Sequence, residues 1–99
     1  MENIELKYTG SKTARNRALS GVVGSGDMEA LFEPGTGNTL AVSIKTSVDG
    51  STPRWQRLFD RISATASLPS GKLVIHDFGA TPGVARLRIE QVFEEASHD

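Results

Sequence analysis

Cysteine is missing altogether from the 99 residues. Its absence excludes disulfides, thiolate metal sites and a cysteine nucleophile together. Histidine is scarce: only His76 and His98 are present, with no i, i+4 pair, so no metal-ligand spacing exists. No stretch approaches the ~20 apolar residues that span a bilayer. The start, Met1-Glu2-Asn3-Ile4-Glu5, has neither the basic residues nor the apolar run of a secretory signal. Neither charge is in excess. Eleven Lys and Arg stand against twelve Asp and Glu, a formal net charge of -1. No overall field therefore draws the chain to nucleic acid or an anionic membrane, and neither is an expected partner. Internal repeats, low-complexity tracts and linkers are also lacking. What remains has 37% apolar and 23% charged residues, the range of a folded soluble domain. The length suits one hydrophobic core, so residues 1–99 read as a single domain. The absence of cysteine suits a cytoplasmic protein.

The first half reads as strands. Ile4, Leu6 and Tyr8 alternate with Asn3, Glu5 and Lys7, the period of a half-buried strand. A polar stretch, Gly10 to Arg17, separates this from a second strand, Ala18 to Val23. Gly24-Ser25-Gly26-Asp27 is a turn. Met28, Ala30 and Phe32 give a third strand, and Leu40, Val42 and Ile44 a fourth, after the turn formers Pro34 to Asn38. The connections are short, so these neighbours are expected to pair antiparallel. After Gly50 the period changes. Ser51 or Thr52 can cap a helix and Pro53 suits its first position. Trp55, Leu58, Phe59, Ile62 and Ala66 then form one apolar stripe. Leu73 to Ile75 reads as a short strand. Thr81 and Pro82 repeat the cap-plus-proline start, and Ala85, Ile89, Val92 and Ala96 fit a second helix. The competing strand reading takes Ala85, Leu87 and Ile89; the start signal favours the helix. The expected fold is α+β: a mostly antiparallel sheet with two helices packed on one face, in two layers.

Ser25 is the most informative residue for chemistry. Its flanking glycines, Gly24 and Gly26, remove side-chain bulk and permit unusual backbone angles. That exposes a hydroxyl on a tip that another protein's active site can envelop. The plainer reading is an ordinary turn, for which glycine, serine and aspartate are common. Asp27 can cap this turn or orient Ser25. A nucleophile elbow needs glycine two positions before and after the serine; here those positions hold Val23 and Asp27, so the motif fails. His76 and Asp77 are adjacent in a strand and should face opposite ways. A triad of Ser25, His76 and a remote carboxylate stays open. The glycine sequences Gly21 to Gly26 and Gly35 to Gly37 match neither the lysine-containing phosphate loop nor the dinucleotide fingerprint. Arg54, Arg57 and Arg61 line one polar face of the first helix. They read as a solvated face with Asp60 as local partner, or as a docking surface for an acidic partner or phosphates. Arg86 and Arg88 carry the same two readings. Trp55 is core. Catalytic and metal-ligating residues are expected to be none.

Three ordered segments carry a resemblance: Val23-Gly24-Ser25-Gly26-Asp27-Met28-Glu29, then Thr46 to Ser51 leading into Arg54-Trp55, then His76-Asp77-Phe78-Gly79-Ala80-Thr81-Pro82-Gly83. Together they look like the acyl carrier protein (delta) subunit of biotin-independent malonate decarboxylase, over almost the whole chain. The chain is more distantly similar to the acyl carrier subunit of citrate lyase.

The resemblance implies a non-catalytic carrier modified on one serine, which maps onto Ser25. The implied group is 2'-(5''-phosphoribosyl)-3'-dephospho-coenzyme A, joined by a phosphodiester, whose thiol carries acetyl or malonyl as a thioester. It implies four kinds of partner: a prosthetic-group transferase, a malonyltransferase that primes the carrier, an acyltransferase subunit and a pair of decarboxylase subunits. The missing cysteine and missing catalytic constellation agree with this, since the arm brings the thiol and partners bring the chemistry. Two other readings stand beside it: an unmodified structural or adaptor subunit, and a small serine hydrolase.

Overall fold

The computed structural model describes residues 1–21, 24 and 26–97. Ser25, His98 and the last two residues of the expected second strand, Val22 and Val23, lie outside the described residues, as does Asp99. The elements run β1 (Glu2–Thr9), β2 (Ala18–Gly21), β3 (Met28–Pro34), β4 (Thr39–Thr46), α1 (Thr52–Thr65), β5 (Gly71–Asp77) and α2 (Pro82–Ser97). The strands form one five-stranded sheet in the order β1-β4-β5-β3-β2.

The α+β expectation holds, while the pairing differs from simple succession. β2 and β3 pair antiparallel as neighbours, but β1 pairs with β4 and not with β2. β5 enters between β3 and β4, antiparallel to the first and parallel to the second. The helix α1 is the long crossover that a parallel pair requires. At the centre of the sheet, β5 buries Leu73, Ile75 and Asp77 on the face that the helices cover.

Alternation decides what each strand buries. Met28, Ala30 and Phe32 of β3, and Leu40, Val42 and Ile44 of β4, are all fully buried on one face. Trp55, Phe59 and Ile62 of α1 and Ala85, Ile89, Val92 and Ala96 of α2 join them in a single cluster. Each such large apolar side chain contributes roughly 1.5–3 kcal/mol of burial. Tyr8 stacks on Phe59 with ring centroids 5.8 Å apart, and Phe32 meets Phe93 edge-on at 5.9 Å. These contacts pin α1 over β1 and α2 over β3.

The helix starts differ in how they are capped. Thr81 accepts the Val84 N–H on its hydroxyl at 3.2 Å, a true N-cap for α2. Ser51 occupies the N-cap position of α1, yet its hydroxyl turns back to donate to the Val48 carbonyl at 2.9 Å. Ala66 leaves the expected apolar stripe: it is extended (φ -152, ψ 152) and exposed, because α1 ends at Thr65. Leu87, half exposed at 50%, excludes the strand reading of this segment.

Candidate functional site

The β3–β5 ladder continues beyond both strands. Gly26 N–H donates to the Phe78 carbonyl at 2.8 Å, and Phe78 N–H donates to the Asp27 carbonyl at 3.0 Å. Asp27 N–H donates to the Gly24 carbonyl at 3.1 Å, closing a four-residue turn that by sequence spans position 25. Gly26 has φ +78, the left-handed angle at the third turn position that calls for glycine. The turn lies at the end of the sheet where the parallel pair β4 and β5 finishes, with Thr46 opposite Asp77.

The surroundings of the glycines separate their roles. Among the described residues, a Cβ on Gly24 or Gly26 would meet nothing within 4 Å, so there is room beside both glycines. A Cβ on Gly21 would lie 1.9 Å from the Met28 carbonyl oxygen, at φ +81. Gly21 is thus required by close approach, whereas Gly24 and Gly26 are not.

Asp27 acquires a partner that adjacent sequence does not supply. Its Oδ1 accepts from Arg88 Nε at 3.1 Å and from Met28 N–H at 2.7 Å, and its Oδ2 accepts from Arg88 Nη2 at 2.8 Å. The Arg88 hydrogen bonds, and then that of Met28, hold the Asp27 carboxyl below the usual carboxylate range. Asp27 in turn raises the Arg88 guanidinium above its ordinary value. The Arg88 carbonyl receives the Ser20 hydroxyl at 2.6 Å. Arg86, by contrast, faces Glu90 one turn along α2 at 3.6 Å.

Beneath the turn, Asp77 is buried at 1% exposure. Its carboxylate accepts the Thr46 hydroxyl at 2.8 Å and the Ala80 N–H at 2.9 Å, and Thr46 Oγ1 accepts the Val48 N–H at 3.0 Å. This network joins the ends of β4 and β5 to the segments that follow them. His76 points to the opposite face, as alternation requires, with Nδ1 3.5 Å from Glu29 Oε1. His76 and Asp77 therefore form no dyad.

Arg57 and Arg61 are exposed and Arg54 is partly so. Asp60 is not their partner: it accepts the Tyr8 hydroxyl at 3.0 Å. Among the described residues no cluster of three or more His, Asp or Glu is placed to hold a metal. No helix there is long and apolar enough to cross a membrane.

Sequence reasoning singled out Gly24, Gly26 and Asp27, and the structure brings them into one turn. It missed Arg88 as their neighbour. A signal existed: Arg88 falls beside Ala85, Ile89 and Val92 at the edge of the apolar stripe, where a half-buried charge needs a partner.

The fold and site define a class: a two-layer α+β domain that carries a glycine-containing turn at the end of its sheet. The comparisons make the class specific. The family model described as "Malonate decarboxylase delta subunit (MdcD)" matches residues 15–96. The malonate decarboxylase acyl carrier protein of Klebsiella pneumoniae is 61% identical over 98 residues, 99% of each chain. That of Pseudomonas aeruginosa (strain UCBPP-PA14) is 54% identical over 99 residues, all of both chains. A chain in the crystal structure of a Pseudomonas malonate decarboxylase hetero-tetramer in complex with malonate superposes with a TM-score of 0.92 at 50% identity, covering 97% of this chain and 99% of that one. The chain belongs to the malonate decarboxylase acyl carrier protein (delta subunit) family.

Proposed function

We propose that this chain carries acetyl and malonyl groups as thioesters on 2'-(5''-phosphoribosyl)-3'-dephospho-coenzyme A, attached through the Ser25 hydroxyl. The observation that carries the proposal is the turn itself, open around both glycines and braced on its far limb by the end of β5. Such a site suits an outward-projecting arm. A hollow beside Gly21, lined by Leu19, Ser20, Gly21, Gln91, Glu94 and Glu95, is poor ground for phosphate because two carboxylates border it.

In attachment, the Ser25 oxygen forms the new bond to phosphorus of an activated phosphoribosyl donor as its leaving group departs. The base that takes the hydroxyl proton belongs to the transferase. Once attached, the group supplies a thiol whose thioester stabilises negative charge on the α-carbon of the acyl chain better than an oxygen ester would. The chain's own residues present and orient the attachment point. The tether keeps the acyl group at high local concentration for each partner.

The partners follow from the same reading: an installing transferase, a priming malonyltransferase, and the acyltransferase and decarboxylase subunits of a complex like the hetero-tetramer of the Pseudomonas relative. Arg54, Arg57 and Arg61 offer one of these partners a cationic helix face, which salt should weaken. Co-expression with a family transferase tests the central reading by intact mass. A mass gain matching the group, lost in Ser25→Ala, supports the carrier. An unchanged mass, where the Klebsiella relative is modified, favours an adaptor. Among the described residues, His76 beside Glu29 is the feature a hydrolase reading could use. Esterase activity of the purified chain that requires both Ser25 and His76 would establish that reading instead.

A further inference from the structure

Arg88 is where both limbs of the Ser25 segment are tied. On the incoming limb, the Ser20 hydroxyl donates to the Arg88 carbonyl at 2.6 Å. The next residue, Gly21, lies so close that an added Cβ would stand 3.3 Å from Arg88 Cδ. On the outgoing limb, the guanidinium grips both oxygens of Asp27 at 3.1 and 2.8 Å. One residue of α2, 61 positions from Asp27, thus fixes the segment before and after the turn.

We infer that the Asp27–Arg88 pair is a positioning clamp that holds the turn in the form the installing transferase receives. The inference rests on the reading of Ser25 as attachment point. Two physical effects combine. The fork-to-fork geometry sets direction as well as distance, which a single lysine contact would not. The pairing also neutralises a carboxylate two residues from the position that accepts a phosphate, where bare negative charge would repel it. Arg88 and Asp27 are positioning residues; neither enters the bond-making step. The pair is partly buried, with side chains 27% and 20% exposed, and its two-point geometry orients the turn as well as holding it.

The test uses the unloaded full chain as wild type, Arg88→Gln, Arg88→Lys, Asp27→Asn and the Asp27→Asn/Arg88→Gln double variant. Two measurements are made: amide hydrogen exchange at Gly26, Asp27 and Met28, and loading by a family transferase followed by intact mass. The clamp predicts exchange at these amides about tenfold faster in each variant, while exchange in the β4–β5 core is unchanged. It predicts loading kcat down by about tenfold or more, with a smaller change in KM. Arg88→Lys should recover only part of the loss, and the double variant should be no worse than the poorer single one. Wild-type exchange in Arg88→Gln overturns the clamp. So does full rescue by Arg88→Lys, or a loss confined to KM that varies with salt; either would make Arg88 a docking charge. Should the wild type itself not load, or load equally as Ser25→Ala, the attachment reading fails instead, and hydrogen exchange still reports on the clamp.

Discussion

Three glycines lie within four residues of Ser25, and alanine at each should give a different result. Gly21→Ala meets two costs. Its φ of +81 asks an alanine for the left-handed region, about 1–2 kcal/mol. Its Cβ would lie 1.9 Å from the Met28 carbonyl oxygen, so β2 and β3 must part, adding roughly 1–3 kcal/mol. Gly26→Ala meets only the first cost, since φ is +78 and nothing lies within 4 Å. Gly24→Ala meets neither. Its backbone is not left-handed, its surroundings are open, and alanine restricts the unfolded chain, so it is neutral or stabilises by about 0.4–1 kcal/mol. At about 4–8 °C per kcal/mol for a domain of this size, calorimetry should show a large fall in Tm for Gly21→Ala. The fall should be modest for Gly26→Ala and absent for Gly24→Ala. Loading by the transferase separates fold from function. Gly24→Ala should fold as wild type yet load slowly, because its methyl enters the space the transferase must fill. A Gly24→Ala protein as destabilised as Gly26→Ala, or a Gly21→Ala protein at wild-type Tm, would refute the reasoning.

Three further outcomes are expected. Asp77→Ala strips acceptors from the Thr46 hydroxyl and the Ala80 N–H and should cost about 2–5 kcal/mol; Asp77→Asn, which keeps a carbonyl oxygen, should cost less in urea titration. The Trp55 indole N–H is buried without a partner among the described residues, so Trp55→Phe trades lost ring contact against a relieved polar group. The net change should stay within about 1 kcal/mol. Tyr8, the single tyrosine, is pushed up to about 12, first by burial and then by its hydrogen bond to Asp60. Its protonated form stabilises the fold below pH 10, and that contribution disappears as pH rises through about 12. Ultraviolet titration should find this high midpoint, lowered partway toward 10 in Asp60→Asn.

Much of this fold is written in periodicity. The alternations around Ala30 and Val42 each placed a strand and its buried face, because a pleat leaves no other way to hide those side chains, while the run Leu73 to Ile75 placed a strand without saying which face it buries. The Thr81-Pro82 start likewise marked α2. Sheet order was not legible. Nothing local to Leu73 to Ile75 tells β5 to enter between β3 and β4; that pairing joins residues far apart in sequence. The end of α1 was overrun at Ala66, since a small apolar residue fits a stripe whether or not the helix continues. At the site, the glycine spacing showed where a turn would rise. The Asp27–Arg88 pairing depends on α2 crossing β2 and β3, which no spacing within the turn encodes.

If Ser25 bears the arm, one digest should show it. After reaction with the transferase, trypsin releases the peptide Ala18 to Lys45, which holds three serines, Ser20, Ser25 and Ser43. Fragmentation of that peptide should place the phosphoribosyl-dephospho-coenzyme A mass on Ser25 alone. The same mass on Ser20 or Ser43, or an unmodified peptide from a sample active in malonate decarboxylation, would contradict the account.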